Sequence, residues 1–264
     1  NTKAVVVLVG ESGSGKTARA EALAQLAGKN ILEPTVGSLM DPRRSVSANS
    51  RVLEMVLEEM GAALLIEYAE RFFPRSFPPP PHCEAWSAFL AKSRALCILT
   101  TPHPDLLDPA VADGADWVHM IASPRLSERR ELWRNMSEGA GVEESLDLDR
   151  LAGRFQLNAG GVQRAVAMAV RTAASRDPGE SALVTQADLE SGAALQVRHG
   201  LDRLAEKVVT NLSLGDLIVS DDVRRQVEAI VDAARVREVV FDDWGFAAKQ
   251  PRGRGLSMLF DGEP

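Results

Sequence analysis

Every position from Ala4 to Val9 is apolar and four of the six are valine, the pattern of a strand buried on both faces. The stretch that follows, "SGKTARAEALAQLAG", switches to helical spacing and stops at Gly28. The same alternation recurs. Ile31 to Val36 predicts a second strand, "SVSANSRVLEMVLEEMG" a helix closed by Gly61, and Ala62 to Ile66 a third strand. Five prolines between Pro74 and Pro81 then forbid regular structure, so "FFPRSFPPPPHCE" is expected to be a surface loop of partly polyproline character. Helix returns at "AWSAFLAKSR", and "ALCILTT" predicts a fourth strand. Strands alternating with helices imply an α/β fold of three layers with a parallel sheet.

Beyond this region the pattern is helical throughout. "LSERRELWRNMSEGAG", "DLDRLAGRF", "GGVQRAVAMAVRTAAS" and "TQADLESGAALQV" are successive helical stretches, and Thr185 to Asp188 has the form of a capping box with Asp for Glu. "LDRLAEKVVTNL" reads as a helical connector and "SDDVRRQVEAIVDAARVREVVF" as an amphipathic helix capped by Ser220 or Asp221. The expected division is an α/β core over residues 1–122, a small helical domain over 123–200, and a linker with the start of a further domain over 201–264. The closing "GLSMLFDGEP" repeats the register of the opening "AVVVLVGES", so a second copy of the first unit is expected to begin there.

The chemistry lies between the first strand and the first helix. "GESGSGKT", from Gly10 through Glu11, Ser12, Gly13, Ser14, Gly15 and Lys16 to Thr17, fits the phosphate-loop pattern G-x-x-x-x-G-K-[ST] in the strand–helix context that pattern requires. Its glycines allow backbone N–H groups to converge on phosphate oxygens at a helix N-terminus. Lys16 is placed for the β and γ phosphates, and the Thr17 hydroxyl for Mg²⁺. Neither Asn-Lys-x-Asp, which would select guanine, nor Ser-Gly-Gly-Gln, which marks transporter ATPases, occurs, so ATP is the expected nucleotide.

Composition adds exclusions. A formal net charge of −7 argues against broad electrostatic capture of nucleic acid or anionic lipid. No apolar run reaches the roughly 18 residues that span a bilayer. The two cysteines, Cys83 and Cys97, lack metal-site spacing and read as free thiols, which places the protein in a reducing cytoplasm.

"ALCILTTPHPDLLDPAV", followed by the helical region, resembles the AAA+ ATPases, whose fourth core strand runs into Thr-Asn-x-Pro-Asp-x-Leu-Asp-Pro-Ala ahead of a four-helix lid. With "DDWGF" and "RGRGLSMLFDGEP", the chain is similar to the first ATPase domain of bacterial tandem AAA proteins, some of them encoded with contractile injection systems. The resemblance implies a self-associating ring of six subunits, a protein client or assembly as partner, and adenine contacts made by turns such as that of Trp244. It also implies roles for Thr101 and, in the lid, for Gly161 at the nucleotide. Aligned on the family's Asp-Glu strand end, Glu67 takes the acid on the metal side and Tyr68 the place of the catalytic glutamate. A phenol with a reference pKa of about 10 is a poor base for water. Glu70 lies two residues on; if the strand persists it shares a face with Tyr68, and it can substitute only if the backbone turns.

Other family features are missing. Pro102 stands where a sensor asparagine is expected, Asp113 and Asp116 where an arginine reaches the neighbouring subunit, and "SLMDPRRSVSANS" lacks the aromatic of substrate-threading loops. Arg164 is expected to face a neighbouring domain, and Arg43 and Arg44 to be loop charges able to meet an acidic partner. Trp133 is expected in the helical core. The leading expectation is therefore ATP binding with impaired hydrolysis, beside an active domain elsewhere in the protein. Two alternatives stand: an active ATPase using Glu67 or Glu70, and a nucleotide-free interaction scaffold.

Overall fold

In the computed structural model, residues 4–39, 45–143, 145–176, 182–197, 213–249, 256–259 and 261 are described. Arg43, Arg44 and the predicted connector at 201–212 lie outside them. The chain divides into two compact units, Asn1–Ala122 and Ser123–Pro264.

The first unit is built on five parallel strands: β1 (Ala4–Val9), β2 (Ile31–Leu32), β3 (Ala63–Ile66), β4 (Leu96–Thr101) and β5 (Trp117–Met120). Their order is β2-β3-β4-β1-β5, so the valine-rich β1 is covered by a partner on each side, β4 and β5. Alternating side chains build two cores. Val6, Leu8, Leu65 and Ile98 pack on one face with Ala20 and Ala24 of α1 (Lys16–Leu26), whose alanines let that helix approach closely. Val5, Val7, Val9, Leu64, Cys97 and Leu99 pack on the other face. There they meet α3 (Val46–Met60), through Leu53 and Leu57, and α5 (Pro81–Lys92), through Trp86, Phe89 and Leu90. Trp86 lies edge-on to Phe72 and Phe89, with ring centroids 5.5 and 5.4 Å apart. This is the three-layer α/β arrangement expected from the alternation.

The differences are local. The strand expected at Ile31 to Val36 pairs with β3 only over Ile31–Leu32, and the chain then makes a helical turn, α2 (Val36–Leu39). "HCE" belongs to α5 rather than to the proline loop, because Pro81 sits in the first helical turn, where its missing N–H costs nothing. Cys83 is accordingly buried in a helix, and burial lifts the Cys97 thiol in β4 to about 11; both are free. A short α6 (Pro109–Asp113) leads to β5, a strand with no sequence signal: all four of its residues are exposed, so it lacks the alternation that burial would impose.

The second unit packs α7 (Leu126–Ser137), α8 (Leu148–Arg154), α9 (Ala159–Arg176) and α10 (Gln186–Val197) around Leu126, Trp133, Leu151, Val162, Ala165 and Leu189. Trp133 is fully buried, as its helical spacing predicts. Buried Arg129 ties α7 to its surroundings, donating from Nε to the Ala152 carbonyl at 2.8 Å and from Nη1 to that of Pro124 at 2.9 Å. The capping box forms: Thr185 N–H donates to Asp188 Oδ2 at 3.0 Å and Asp188 N–H to Thr185 Oγ1 at 3.3 Å. Arg164 is engaged inside this unit, its Nε donating to Gln196 Oε1 at 2.8 Å. The expected amphipathic helix is α11 (Asp221–Glu238), capped by Ser220; at Val239–Asp243 it widens into a π-helical turn, and a short α12 (Phe246–Lys249) follows.

Two helical glycines in this unit predict opposite outcomes. A Cβ on Gly192 would lie 2.4 Å from the Ala165 carbonyl oxygen, where α10 crosses α9, whereas one on Gly153 meets nothing within 4 Å. Gly192→Ala is expected to cost about 1–3 kcal/mol in chemical denaturation. Gly153→Ala is expected to gain about 0.5–1 kcal/mol from helix propensity. Equal behaviour of the two variants would contradict the packing described.

Candidate nucleotide site

β1 delivers the chain to the loop. Gly10 follows Val9, its N–H donating to the Thr101 carbonyl of β4 at 3.1 Å. A Cβ on Gly10 would lie 2.7 Å from Ser14 Oγ and 3.0 Å from Ile121 Cβ, so only glycine fits without displacing the loop. Gly13 and Gly15 adopt left-handed conformations, φ 84° and 82°, which bend the backbone around before α1 begins at Lys16. Gly15 stands at the N-cap with no side chain to satisfy the first-turn N–H groups. Those donors and the helix dipole suit an anion at this end.

Lys16 Nζ donates back to the carbonyls of Gly10 at 2.8 Å and Glu11 at 2.9 Å. Burial pulls its amine below the ordinary lysine value, and the carboxylates of Glu67 and Glu70 act in the opposite direction. The Thr17 hydroxyl donates to Glu67 Oε1. The structure thus brings Gly10 to Thr17 together with Glu67, Glu70 and Thr101. Gly161 is separate in sequence and unit: it is buried at the start of α9, its N–H donating to Asn158 Oδ1 at 3.0 Å.

The segment after β3 departs from the expectation. The strand ends at Ile66 and does not persist to Glu70. Tyr68 takes a left-handed conformation with φ 52°, and residues Ala69–Phe72 form one helical turn, α4. The reversal sends Tyr68 and Glu70 opposite ways. Tyr68 is 40% exposed, with the Arg71 guanidinium 4.6 Å from the centroid of its ring. Glu70 is only 8% exposed, and its Oε2 accepts the Thr101 hydroxyl at 2.7 Å. Thr101, fully buried, also accepts the His103 N–H at 3.1 Å. The signal for this turn was present: Ala69, Phe72 and Phe73 are apolar at helical spacing, and all three are fully buried.

The remaining expected positions lie elsewhere. Asp116 accepts the Val5 N–H at 2.8 Å, so its carboxylate serves the end of β1 opposite the phosphate loop. Asp113 is exposed at the end of α6. Trp117 and Trp244 are exposed.

Chemically, the loop offers convergent N–H groups, one ammonium, one hydroxyl and a carboxylate beside that hydroxyl. This set fits a polyphosphate with Mg²⁺, an ion that takes few protein ligands and keeps phosphate oxygens and waters around it. Thr17 and Glu67 are the residues that would hold the ion, directly or through water.

The five-stranded parallel sheet, of order β2-β3-β4-β1-β5, carries the glycine-rich loop between β1 and α1. Residues 126–199 match the family model described as the contractile injection system ATPase helical domain. The chain is similar in structure to katanin as solved in work on the structural basis for katanin self-assembly. That likeness has a TM-score of 0.60 and 18% sequence identity, over 72% of this chain and 71% of that chain. No curated protein matches the chain. Among the described residues no helix is long and apolar enough to cross a membrane.

Gly15→Ala forces a Cβ into the left-handed region at φ 82° and is expected to cost about 1–2 kcal/mol of stability by denaturation. An unchanged midpoint would mean that the loop does not hold this conformation.

Proposed function

We propose that the chain is an ATP-binding AAA+ module that holds Mg·ATP on its phosphate loop and turns it over weakly. The observation that carries this reading is Tyr68. It stands beside Glu67, where a water-polarising acid is needed, and offers a phenol, partly exposed and stacked with Arg71, in place of a carboxylate. Hydrolysis requires a base within reach of the attacking water and groups that stabilise charge on the γ-phosphate. Pro102 offers no side-chain donor at the end of β4. Binding needs less: loop N–H groups, Lys16 and Thr17 suffice to hold the phosphates, with Mg²⁺ beside Thr17 and Glu67.

The wider setting belongs to the same proposal. The module works in the cytoplasm in a self-associated ring of six subunits, as the first of two AAA+ domains, and the second domain carries turnover. The match of residues 126–199 to the contractile-injection helical family supports a role in handling or assembling such a system, with a protein as client. The likeness to katanin in a self-assembly study supports the ring.

One observation favours a second reading. Because the backbone reverses at Tyr68, the Glu70 carboxylate lies beside Thr101 and within the electrostatic reach of Lys16, and Glu70 then serves as base for a slow hydrolysis.

Calorimetry is expected to detect ATP binding with Mg²⁺, weakened roughly tenfold or more by Lys16→Ala through loss of a charge-assisted contact. Steady-state turnover is expected to be negligible; a robust rate abolished by Lys16→Ala would sink the leading reading. Tyr68→Glu is expected to restore no turnover, because Pro102 would still leave the γ-phosphate without a side-chain donor at the end of β4. If slow turnover is present and Glu70→Gln removes it while binding persists, the second reading replaces the first.

A further inference from the structure

The phenylalanines at 72, 73 and 77 lie close together in sequence, and their surroundings differ sharply. Phe72 and Phe73 are wholly buried, whereas Phe77 is 99% exposed. It stands at the tip of the loop between α4 and α5, followed by Pro78, Pro79 and Pro80, the first two of them exposed as well. Both legs of this loop are fastened. On the first, the Arg75 N–H donates to the Leu106 carbonyl at 2.7 Å and the Asp108 N–H to that of Phe73 at 2.9 Å, with Pro74 and Leu107 paired as an antiparallel bridge. On the second, Pro81 opens α5, the Cys83 N–H donates to the Pro80 carbonyl at 2.9 Å, and His82 Nε2 donates to the Phe72 carbonyl at 2.9 Å.

The tip is therefore held out from the body of the unit. Each proline fixes its own φ, so the segment has little backbone freedom left to lose on binding, and Pro80 has the φ −57° and ψ 142° of polyproline II. Residues 78–81 are all proline and offer carbonyls and apolar rings with no main-chain donor. A matching surface must supply a platform of aromatic side chains for the Phe77 ring and the prolines, and donors such as an indole N–H or a phenol for the carbonyls. Arg75 and Glu84, both exposed, flank the tip with opposite charges, which sets the direction in which it docks. The apolar groove between α11 and residues 256–259 does not offer such a platform to a second copy of the chain: it is lined by Ala229, Ile230, Ala233 and residues 256–259, none of them aromatic.

We propose that residues 75–80 are a docking epitope for another protein, one that carries an aromatic-lined groove of the kind that reads proline-rich segments. Docking at this tip requires no nucleotide, so its test is run without any.

Isolated WW, SH3 and EVH1 domains, whose grooves are lined by aromatic side chains, serve as probes, each titrated by calorimetry into the full chain. At least one is expected to bind, and a synthetic peptide of residues 74–82 is expected to compete with the chain for it. Phe77→Ala and Pro79→Ala are each expected to weaken that binding about tenfold or more. Phe77→Ala is expected to leave the thermal midpoint unchanged, because the ring is packed against nothing in the chain, and to leave ATP binding, measured separately, as it was. If none of the three domains binds, or if Phe77→Ala binds as the unmodified chain does, the epitope is overturned while the ATP site stands. Sedimentation showing self-association that Phe77→Ala abolishes would assign the tip to a second copy, and binding to phosphatidylglycerol vesicles lost in the same variant would assign it to a lipid surface; either result overturns the proposal.

Discussion

The parallel pairing of β1 with β4 is the constraint on which the site depends. Its register sets Val9 opposite Thr101, and the ladder continues one step further, through the Gly10 N–H to the Thr101 carbonyl. That last bond fixes the start of the phosphate loop against the end of β4. The loop is therefore anchored at its start by a sheet-like hydrogen bond and further along by Lys16, which donates to the Gly10 and Glu11 carbonyls. It also makes Thr101 the common neighbour of two functional segments: its carbonyl holds the loop and its hydroxyl holds the turn after β3. β3 pairs with β4 in turn, so Ile66, opposite Leu99, brings Glu67 toward Thr17.

Much of this architecture was legible because burial writes it into the sequence. β1, β3 and β4 are buried on both faces and read as apolar runs, broken only by the two threonines that end β4; α3, α7, α9 and α11 carry clear helical spacing, and Gly61 and Ser220 mark boundaries by their usual backbone chemistry. β5 was illegible for the converse reason. It is an edge strand whose four residues are exposed, so "ADWVHM" carries neither alternation nor an apolar run. β2 pairs with β3 over two residues only, and the chain then turns into α2.

In the site, the phosphate loop was legible as a motif, whereas the position of Glu70 was not. A strand continued from Ile66 would have set Tyr68 and Glu70 on one face, and the sequence contains no glycine at 68 to announce a left-handed residue. Tertiary burial decides instead. Ala69, Phe72 and Phe73 all reach the core only if the chain coils there, and Tyr68 accepts an unfavourable conformation so that they can. The burial of two phenylalanines, each worth about 1.5–3 kcal/mol, outweighs the roughly 1–2 kcal/mol cost of one left-handed residue. The placement of Glu70 at Thr101 is a consequence of that packing.

Keeping a complete phosphate loop beside a displaced acid is physically coherent. Ground-state binding draws on interactions made equally before and during bond cleavage: loop N–H groups, the Lys16 ammonium and the Thr17 hydroxyl. Acceleration draws only on interactions that strengthen in the transition state, such as proton removal from the attacking water. In the function we propose, Tyr68 withholds a contribution of the second kind and leaves the first intact. The two carboxylates near Lys16 also bear on binding. They favour its charged form against the cost of burial, and they leave a triphosphate to displace negative charge already in the site.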